Sequence, residues 1–377
     1  MNIIYIFIIL FFLNLLIPYI YYFYMKIVSK KNWDININKN FFPNISMILA
    51  IYNESKIIKK KLENIRDINY PAEKMEVIVV DSASNDDTVE IINKYLENNE
   101  FPFNINILEE KQRRGKSKAL NFALNFANNP IIATSDADSF WEKNSLKEAI
   151  SFLYDPRIGA VTGTEKFLNL NQNILTIGEG LYRKFYNTLR YGESKLHSTS
   201  IFQGEFSIYK RGVFEKFNEI GSDDSGTVMN IISNGYRTIF IPDAVFYDYA
   251  PSNFNGRIKI KRRRSLHVIN TLVRSVKLKL IGKFPQPFLI LFMNFYIHII
   301  NPFIFLTLFM SSGYLLYKYP ILILLFIFTF LFQNIRAMIT SYFTSNIALL
   351  LAIISYLQGE KEEVWDKIDK ISSLKNF

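Results

Sequence analysis

The chain has 377 residues, 49% of them hydrophobic, a net charge of +10 and no cysteine. That length accommodates one α/β domain of roughly 200–250 residues plus a membrane region, and the missing cysteines exclude a disulfide framework or a thiolate metal site. The positive charge points to an anionic membrane, an anionic substrate or nucleic acid, and its placement decides among them.

The apolar residues crowd into both ends. Ile3 to Met25 carries no charge, long enough to cross a hydrocarbon core of about 30 Å as a helix. A cleaved signal peptide needs a basic start, a shorter apolar core and a small-residue cleavage site; none is present, so residues 1–28 read as an uncleaved anchor. Lys26, Lys30 and Lys31 follow with no acidic residue before Asp34, which puts the central domain in the cytosol.

After Pro43, Ile45 to Ile51 reads as a short buried strand. The polar turn Tyr52-Asn53-Glu54-Ser55 then opens a helix with apolar residues at 57, 58, 62 and 65. Met75 to Val80 is a second strand, ending in Asp81-Ser-Ala-Ser-Asn-Asp-Asp-Thr88 ahead of another helix. Phe103 to Leu108 is a third, Gly115 to Ala127 a helix, and Ile131 to Thr134 a fourth strand that runs into Ser135-Asp-Ala-Asp-Ser139. Strands alternating with helices predict an α/β fold with a mainly parallel, right-handed sheet and helices on both faces. Ligands bind beyond the carboxyl ends of such strands, so the polar clusters at 52–55, 81–88 and 135–139 are expected along one edge. No internal repeat is evident.

Asp136-Ala-Asp138 offers two hard oxygen donors suited to a divalent cation, Mg2+ or Mn2+, on a pyrophosphate. Alone, the pair also describes a solvated turn; its place after the fourth strand favours the metal. Asp81 can accept a hydrogen bond from a base or ribose, with Asp86 or Asp87 capping the next helix. Tyr52 can lie against a base or in the core. Arg113, Arg114, Gly115 and Lys116 open a helix, an end that favours anions. Ser222-Asp223-Asp224 precedes a helical stretch ending near Gly235, where a carboxylate serves either as a helix start or as a base for an acceptor hydroxyl. Ten basic residues lie between Arg257 and Lys283, and no acidic residue occurs between Asp248 and Glu360. Abutting a membrane segment, they read as a juxtamembrane patch rather than a nucleic-acid surface. Lys261 to Arg264 can also meet a diphosphate.

Phe288 to Tyr317 has no Lys, Arg, Asp or Glu and contains Pro302, which a membrane helix tolerates. Lys318 and Pro320 mark a turn, Ile321 to Phe332 is apolar, Arg336 interrupts, and Ala337 to Leu357 resumes. This gives two or three spans over 284–358, then a polar tail over 359–377.

With these residues placed, the chain resembles the membrane-bound family 2 glycosyltransferases of GT-A fold, such as hyaluronan- and cellulose-synthase-like enzymes, over about Asn44 to Ser275. Ile51-Tyr-Asn-Glu54 and Val80-Asp81 with Ser84 to Thr88 are similar to the nucleotide-binding loops. Gly115-Lys116 with Ala119-Leu-Asn121 is similar to the third donor motif, and Asp136-Ala-Asp138 to the metal motif. Phe202 to Arg211, with Gln203, Gly204 and Glu205, resembles the acceptor-side segment. Ser222-Asp223-Asp224 resembles the motif whose final Asp is the base. The resemblance implies a cytosolic GT-A domain over 40–283 performing inverting transfer from a nucleotide sugar, expected to be a UDP-sugar, to a lipid-linked or glycan acceptor. In it Tyr52, Glu54, Asp81, Lys116, Asp136 and Arg264 bind donor, Asp136 and Asp138 bind metal, Asp223 lies on the acceptor side, and Asp224 is the base. One departure stands out. Processive members carry Gln-x-x-Arg-Trp, and Lys261-Arg262-Arg263-Arg264-Ser265 keeps only the Arg. The missing Trp removes a ring on which a growing polymer stacks, favouring transfer of one or a few sugars over processive synthesis. The rival classes are a sugar-phosphate nucleotidyltransferase, which would want a Gly-rich loop after the first strand, and an inactive membrane scaffold, which would be expected to have lost a motif carboxylate.

Overall fold

The computed structural model describes residues 3–219, 222–321 and 330–360. Part of the apolar stretch 321–332 and all but the first two residues of the tail expected over 359–377 lie outside them.

An eight-stranded sheet carries the central domain, in the order β3-β2-β1-β4-β7-β6-β8-β5. Strands β1 (Ile45–Ile51), β2 (Met75–Asp81), β3 (Asn104–Glu109) and β4 (Ile131–Ser135) pair in parallel. The first, second and fourth of these are near-continuous apolar runs because both faces of the sheet are covered by core. The register sets Ile51 opposite Asp81 and Leu49 opposite Ser135, so the turns after β1, β2 and β4 emerge together.

The other half of the sheet, unforeseen from sequence, is mixed. It contains β5 (Phe140–Trp141), β6 (Ile158–Phe167), β7 (Ser207–Lys210) and β8 (Arg237–Asp248). β7 runs antiparallel to both β4 and β6, and β5 antiparallel to β8, whereas β6 and β8 pair in parallel, so the sheet is mainly parallel, with the antiparallel pairings confined to this half. Because β7 is antiparallel, it starts where β4 ends, with Ser207 opposite Thr134. Gln203 to Phe206 therefore arrives beside Ser135 to Ser139.

In chain order the helices of the domain are α3 (Ile58–Arg66), α4 (Thr88–Glu97), α5 (Lys116–Leu124), α6 (Ser145–Phe152), α7 (Ile174–Leu196), α8 (Ser225–Ser233) and α9 (Phe254–Leu280). They follow α1 (Ile3–Phe11) and α2 (Ile17–Val28), which a π-helical segment over 12–16 joins. Helix α7 begins with a capping box between Asn173 and Thr176, satisfying amides that would otherwise be orphaned.

Three helices among the described residues are long and apolar enough to cross a membrane: Ile4–Val28, Phe288–Lys318 and Gln333–Leu357. The second comprises α10 (Phe288–Phe295), a π-helical segment and α11 (Asn301–Lys318); the third is α12 (Gln333–Leu357). Buried Asn14 donates to Asn301 Oδ1 at 3.0 Å and accepts from Tyr342 Oη at 2.6 Å, joining all three through polar groups that hydrocarbon cannot satisfy.

Candidate functional site

The first two turns are tied to each other before any ligand is considered. Asn53 N donates to Ser84 Oγ at 2.8 Å and Glu54 N to Thr88 Oγ1 at 2.7 Å. Both carboxylate oxygens of buried Asp81 accept from Ser84, one from its amide and one from its hydroxyl. Ala83 beside them holds a left-handed φ of 58°, a conformation costly for a residue with a Cβ and concentrated at functional loops. Of the two candidate caps it is Asp86, not Asp87, whose side chain works: it accepts from the amides of Thr88 and Ser55. Tyr52 lies under the Arg113 guanidinium, 3.8 Å from ring centroid to Cζ, so its ring faces the loop that opens α5.

Gly115, at a φ of 95°, turns the chain into α5, and Lys116 reaches from the first turn into a set of carboxylates. Its Nζ lies 2.5 Å from Asp136 Oδ1 and 3.3 Å from Asp223 Oδ2. Burial opposes the Lys116 charge, but Asp136 and Asp223 outweigh it and raise its pKa well above the ordinary value. Burial also raises the Asp136 pKa, Lys116 opposes the shift, and Glu205 and Asp138 add to it. Crowded, partly desolvated carboxylates of this kind are relieved by a cation. The donors Asp136 and Asp138 are carboxylate oxygens, so the residues present fit a hard divalent ion.

Beneath this turn lies Lys61, which sequence reasoning missed because it is the last of three consecutive lysines, Lys59 to Lys61, in an amphipathic helix. It is 1% exposed, and its Nζ donates to Ser135 Oγ at 2.7 Å and to Ser139 O at 2.5 Å. Burial pulls its pKa down to about 7, against the pull of Asp136 and Asp138. It fixes the backbone that carries both aspartates.

Asp224 stands at the start of α8. One of its oxygens accepts from Ser222 Oγ and Ser225 N. Burial, then the charge of Asp223, push its pKa up to about 6, while the Ser222 and Ser225 bonds hold it back. That value suits a general base near neutral pH. Gly204 faces the cluster. A Cβ there would lie 3.0 Å from Lys116 Nζ and 3.5 Å from Asp224 Oδ2, so a side chain would intrude on the ion-paired groups.

The other residues expected on the acceptor side form the wall of the same cavity. Glu205 O accepts from Trp141 Nε1 at 3.0 Å, and its carboxylate meets Arg264 Nη2 at 2.5 Å. Glu165, Glu205 and Asp248 form a buried carboxylate group whose nearest atoms lie within 4.8 Å of one another. Arg183 pairs with Glu165 at 2.6 Å, so these acids face the protein's own guanidinium groups. The basic stretch is not merely a surface patch. Arg257 is fully buried on Glu179 at 3.1 Å, and Lys261 meets Glu179 at 3.0 Å.

The structure thus brings Lys116, Gln203, Gly204, Glu205, Asp223, Asp224 and Arg264 to one cavity. Asp136 joins them through Lys116, while Tyr52, Glu54 and Asp81 stand on the neighbouring turns. The cavity also runs to His298, Ser345 and Leu349 on the membrane-length helices. Sequence reasoning missed the inner wall, which comes from α7. The only signal was its spacing, Glu179, Tyr182, Arg183, Tyr186, Arg190 and Glu193, a polar stripe at helical period.

The glycosyl transferase family 2 model matches residues 46–217. The mannosyltransferase PcManGT from Pyrobaculum calidifontis, solved in complex with GDP-Man and Mn2+, superposes with a TM-score of 0.82 at 31% identity, covering 95% of this chain and 99% of that one. This chain belongs to glycosyl transferase family 2. Its α/β sheet is the GT-A fold, extended by membrane-length helices. The poly-beta-1,6-N-acetyl-D-glucosamine synthase of Staphylococcus aureus (strain COL) is 27% identical over 248 residues, 64% of this chain and 59% of that protein. The probable glycosyltransferase YdaM of Bacillus subtilis (strain 168) is 24% identical over 252 residues, 64% and 60% of the two chains. The alignment thus spans about three fifths of the length of these curated relatives.

Proposed function

We propose that this protein is an inverting glycosyltransferase that moves a sugar from a nucleotide-diphosphate sugar to an acceptor delivered from the membrane. The observation that carries the proposal is the single cavity joining Lys116, Asp223 and Asp224 at the sheet edge to His298, Ser345 and Leu349 on the membrane helices. Tyr52, Glu54 and Asp81 hold the nucleotide, and Lys116 and Arg264 face the diphosphate. Asp136 and Asp138 would hold Mg2+ or Mn2+, which would supply positive charge to a diphosphate leaving group. PcManGT was solved with Mn2+, which supports a divalent ion here. Asp224 accepts the proton of an acceptor hydroxyl. That oxygen bonds to the anomeric carbon as the bond to the diphosphate breaks, and the electron pair leaves with the β-phosphate. The catalytic domain, 40–283, faces the cytosol between an anchor over 1–28 and a membrane region over 284–358.

The donor class is tested by offering UDP-, GDP- and TDP-sugars to the purified protein with and without chelator. Sugar transfer with one of them, lost in EDTA and restored by Mn2+ or Mg2+, is expected. Asp138→Ala should abolish transfer and weaken donor binding only when metal is present; full activity in excess EDTA refutes the metal assignment. A second reading, processive polymer synthesis, is favoured by the name of the Staphylococcus aureus relative. Ser265 in place of the polymer-stacking Trp argues for short products, and the length distribution of the labelled product separates the two.

A further inference from the structure

Arg190 is 7% exposed, and its Nε and Nη1 meet no hydrogen-bond partner among the described residues. Its neighbours on the cavity wall are matched: Arg183 by Glu165, and Arg257 and Lys261 by Glu179. Burial, then Arg183, pull the Arg190 pKa down to about 10, which leaves it charged at neutral pH. Glu193, one turn along the helix, is committed elsewhere. It accepts from Tyr21 at 2.9 Å, Asn294 at 2.7 Å and Thr199 at 3.0 Å, and burial pushes its pKa up to about 7. A buried guanidinium without a matched anion is costly and is relieved by a ligand that brings one.

The place of Arg190 says which kind of ligand. It lines the cavity together with Tyr186, whose ring lies 5.6 Å from that of His298 on a membrane helix. Seven residues back, Arg183 Nη1 donates to Gln203 Oε1 at 3.3 Å, next to Gly204 and the Asp224 carboxylate. Gln203 is 3% exposed, and its Nε2 is a second donor with no partner among the described residues. Seven helical residues separate the Arg183 and Arg190 backbones by about 10 Å, so Arg190 joins the wall further along α7, beside Tyr186 and His298.

We propose that Arg190 receives the phosphate of a lipid-linked acceptor, with Gln203 directing the acceptor sugar toward Asp224 and the lipid chain leaving past His298 and Leu349. It rests on the glycosyltransferase activity proposed above and names its acceptor class: a sugar carried on a membrane lipid through a phosphate.

The test uses the full chain purified in detergent, with long-chain polyprenyl phosphate, the corresponding polyprenol and inorganic phosphate as probes. Binding is read as a thermal shift and as a dissociation constant. The phosphate lipid is expected to bind and stabilise, and the other two, at equal concentration, to do neither. Arg190→Met should weaken phosphate-lipid binding about tenfold or more, Arg190→Lys less, with nucleotide binding unchanged. Without lipid, Arg190→Met should melt no lower than the wild type, because it removes an unmatched buried charge. Polyprenol binding as tightly as its phosphate, or undiminished phosphate-lipid binding by Arg190→Met, overturns the proposal. So does inorganic phosphate binding as tightly as the lipid, which marks a free-anion site, and so does Arg190→Met melting lower with loss of nucleotide binding, which marks a structural arginine. Phosphate-lipid binding that depends on Arg190, in a protein that consumes no nucleotide sugar, defeats the transferase activity and leaves the phosphate site standing.

Discussion

Asp224 carries the sharpest consequence at the scale of one residue. As a cap it accepts from Ser225 N, and asparagine caps nearly as well as aspartate. Asp224→Asn should therefore fold normally, bind donor normally, and lose roughly two to four orders of magnitude in turnover, the range for general-base loss; near-wild-type turnover would move the base elsewhere. The raised pKa gives an independent readout. The base works deprotonated, so turnover should climb as pH rises through about 6 and fall below it. The Ser222 hydroxyl stabilises the charged form. Ser222→Ala should therefore move that acid limb to higher pH while leaving the plateau in place, and an unmoved limb assigns the titration to another group.

At the scale of elements, α7 decides how closely the catalytic domain meets the membrane helices. Two of its glycines make the approach possible. A Cβ on Gly178 would lie 2.6 Å from Ala337 O of α12, and one on Gly192 2.6 Å from Met25 O of α2. Backbone atoms cannot yield as a flexible side chain does, so Gly192→Ala must push the helices apart. Overpacking of this kind costs about 1–3 kcal/mol, and a lower apparent melting temperature in detergent is the expected result; an unchanged one would mean the pair is loosely packed. None of this was legible in the sequence. Strands β1, β2 and β4 were, because their apolar runs end in polar clusters that share one edge. The mixed half was not, because Ser207–Lys210 is too short to announce itself and β8 is interrupted by Pro242. The residues around Asp136 and Asp224 were legible as motifs, whereas Lys61 and Arg190 were not. Their roles come from burial and from what stands opposite them, and neither has a sequence spacing of its own.

For the whole molecule the question is which side of the membrane each part occupies. Lys26, Lys30 and Lys31 after the first span favour a cytosolic domain, and one ion pair sets the residue just past the last described helix beside the same domain. Arg262 on α9 meets Glu360, just past α12, at 2.8 Å. Helix α9 belongs to the domain, so this contact favours a chain that leaves through α10 and α11 and returns through α12, with an even number of spans after the domain. The protein has no cysteine, so single introduced cysteines report without background. Exposed Asn128 on the domain and Gln358 beyond α12 are suitable positions. Both Asn128→Cys and Gln358→Cys should resist a membrane-impermeant maleimide in intact cells and react after permeabilisation. Labelling of both in intact cells would turn the molecule over and remove the basis for a cytosolic donor site. Labelling of Gln358→Cys alone would place the two ends of the Arg262–Glu360 pair on opposite sides of the membrane, break the even count of spans, and discard that contact as a guide to topology.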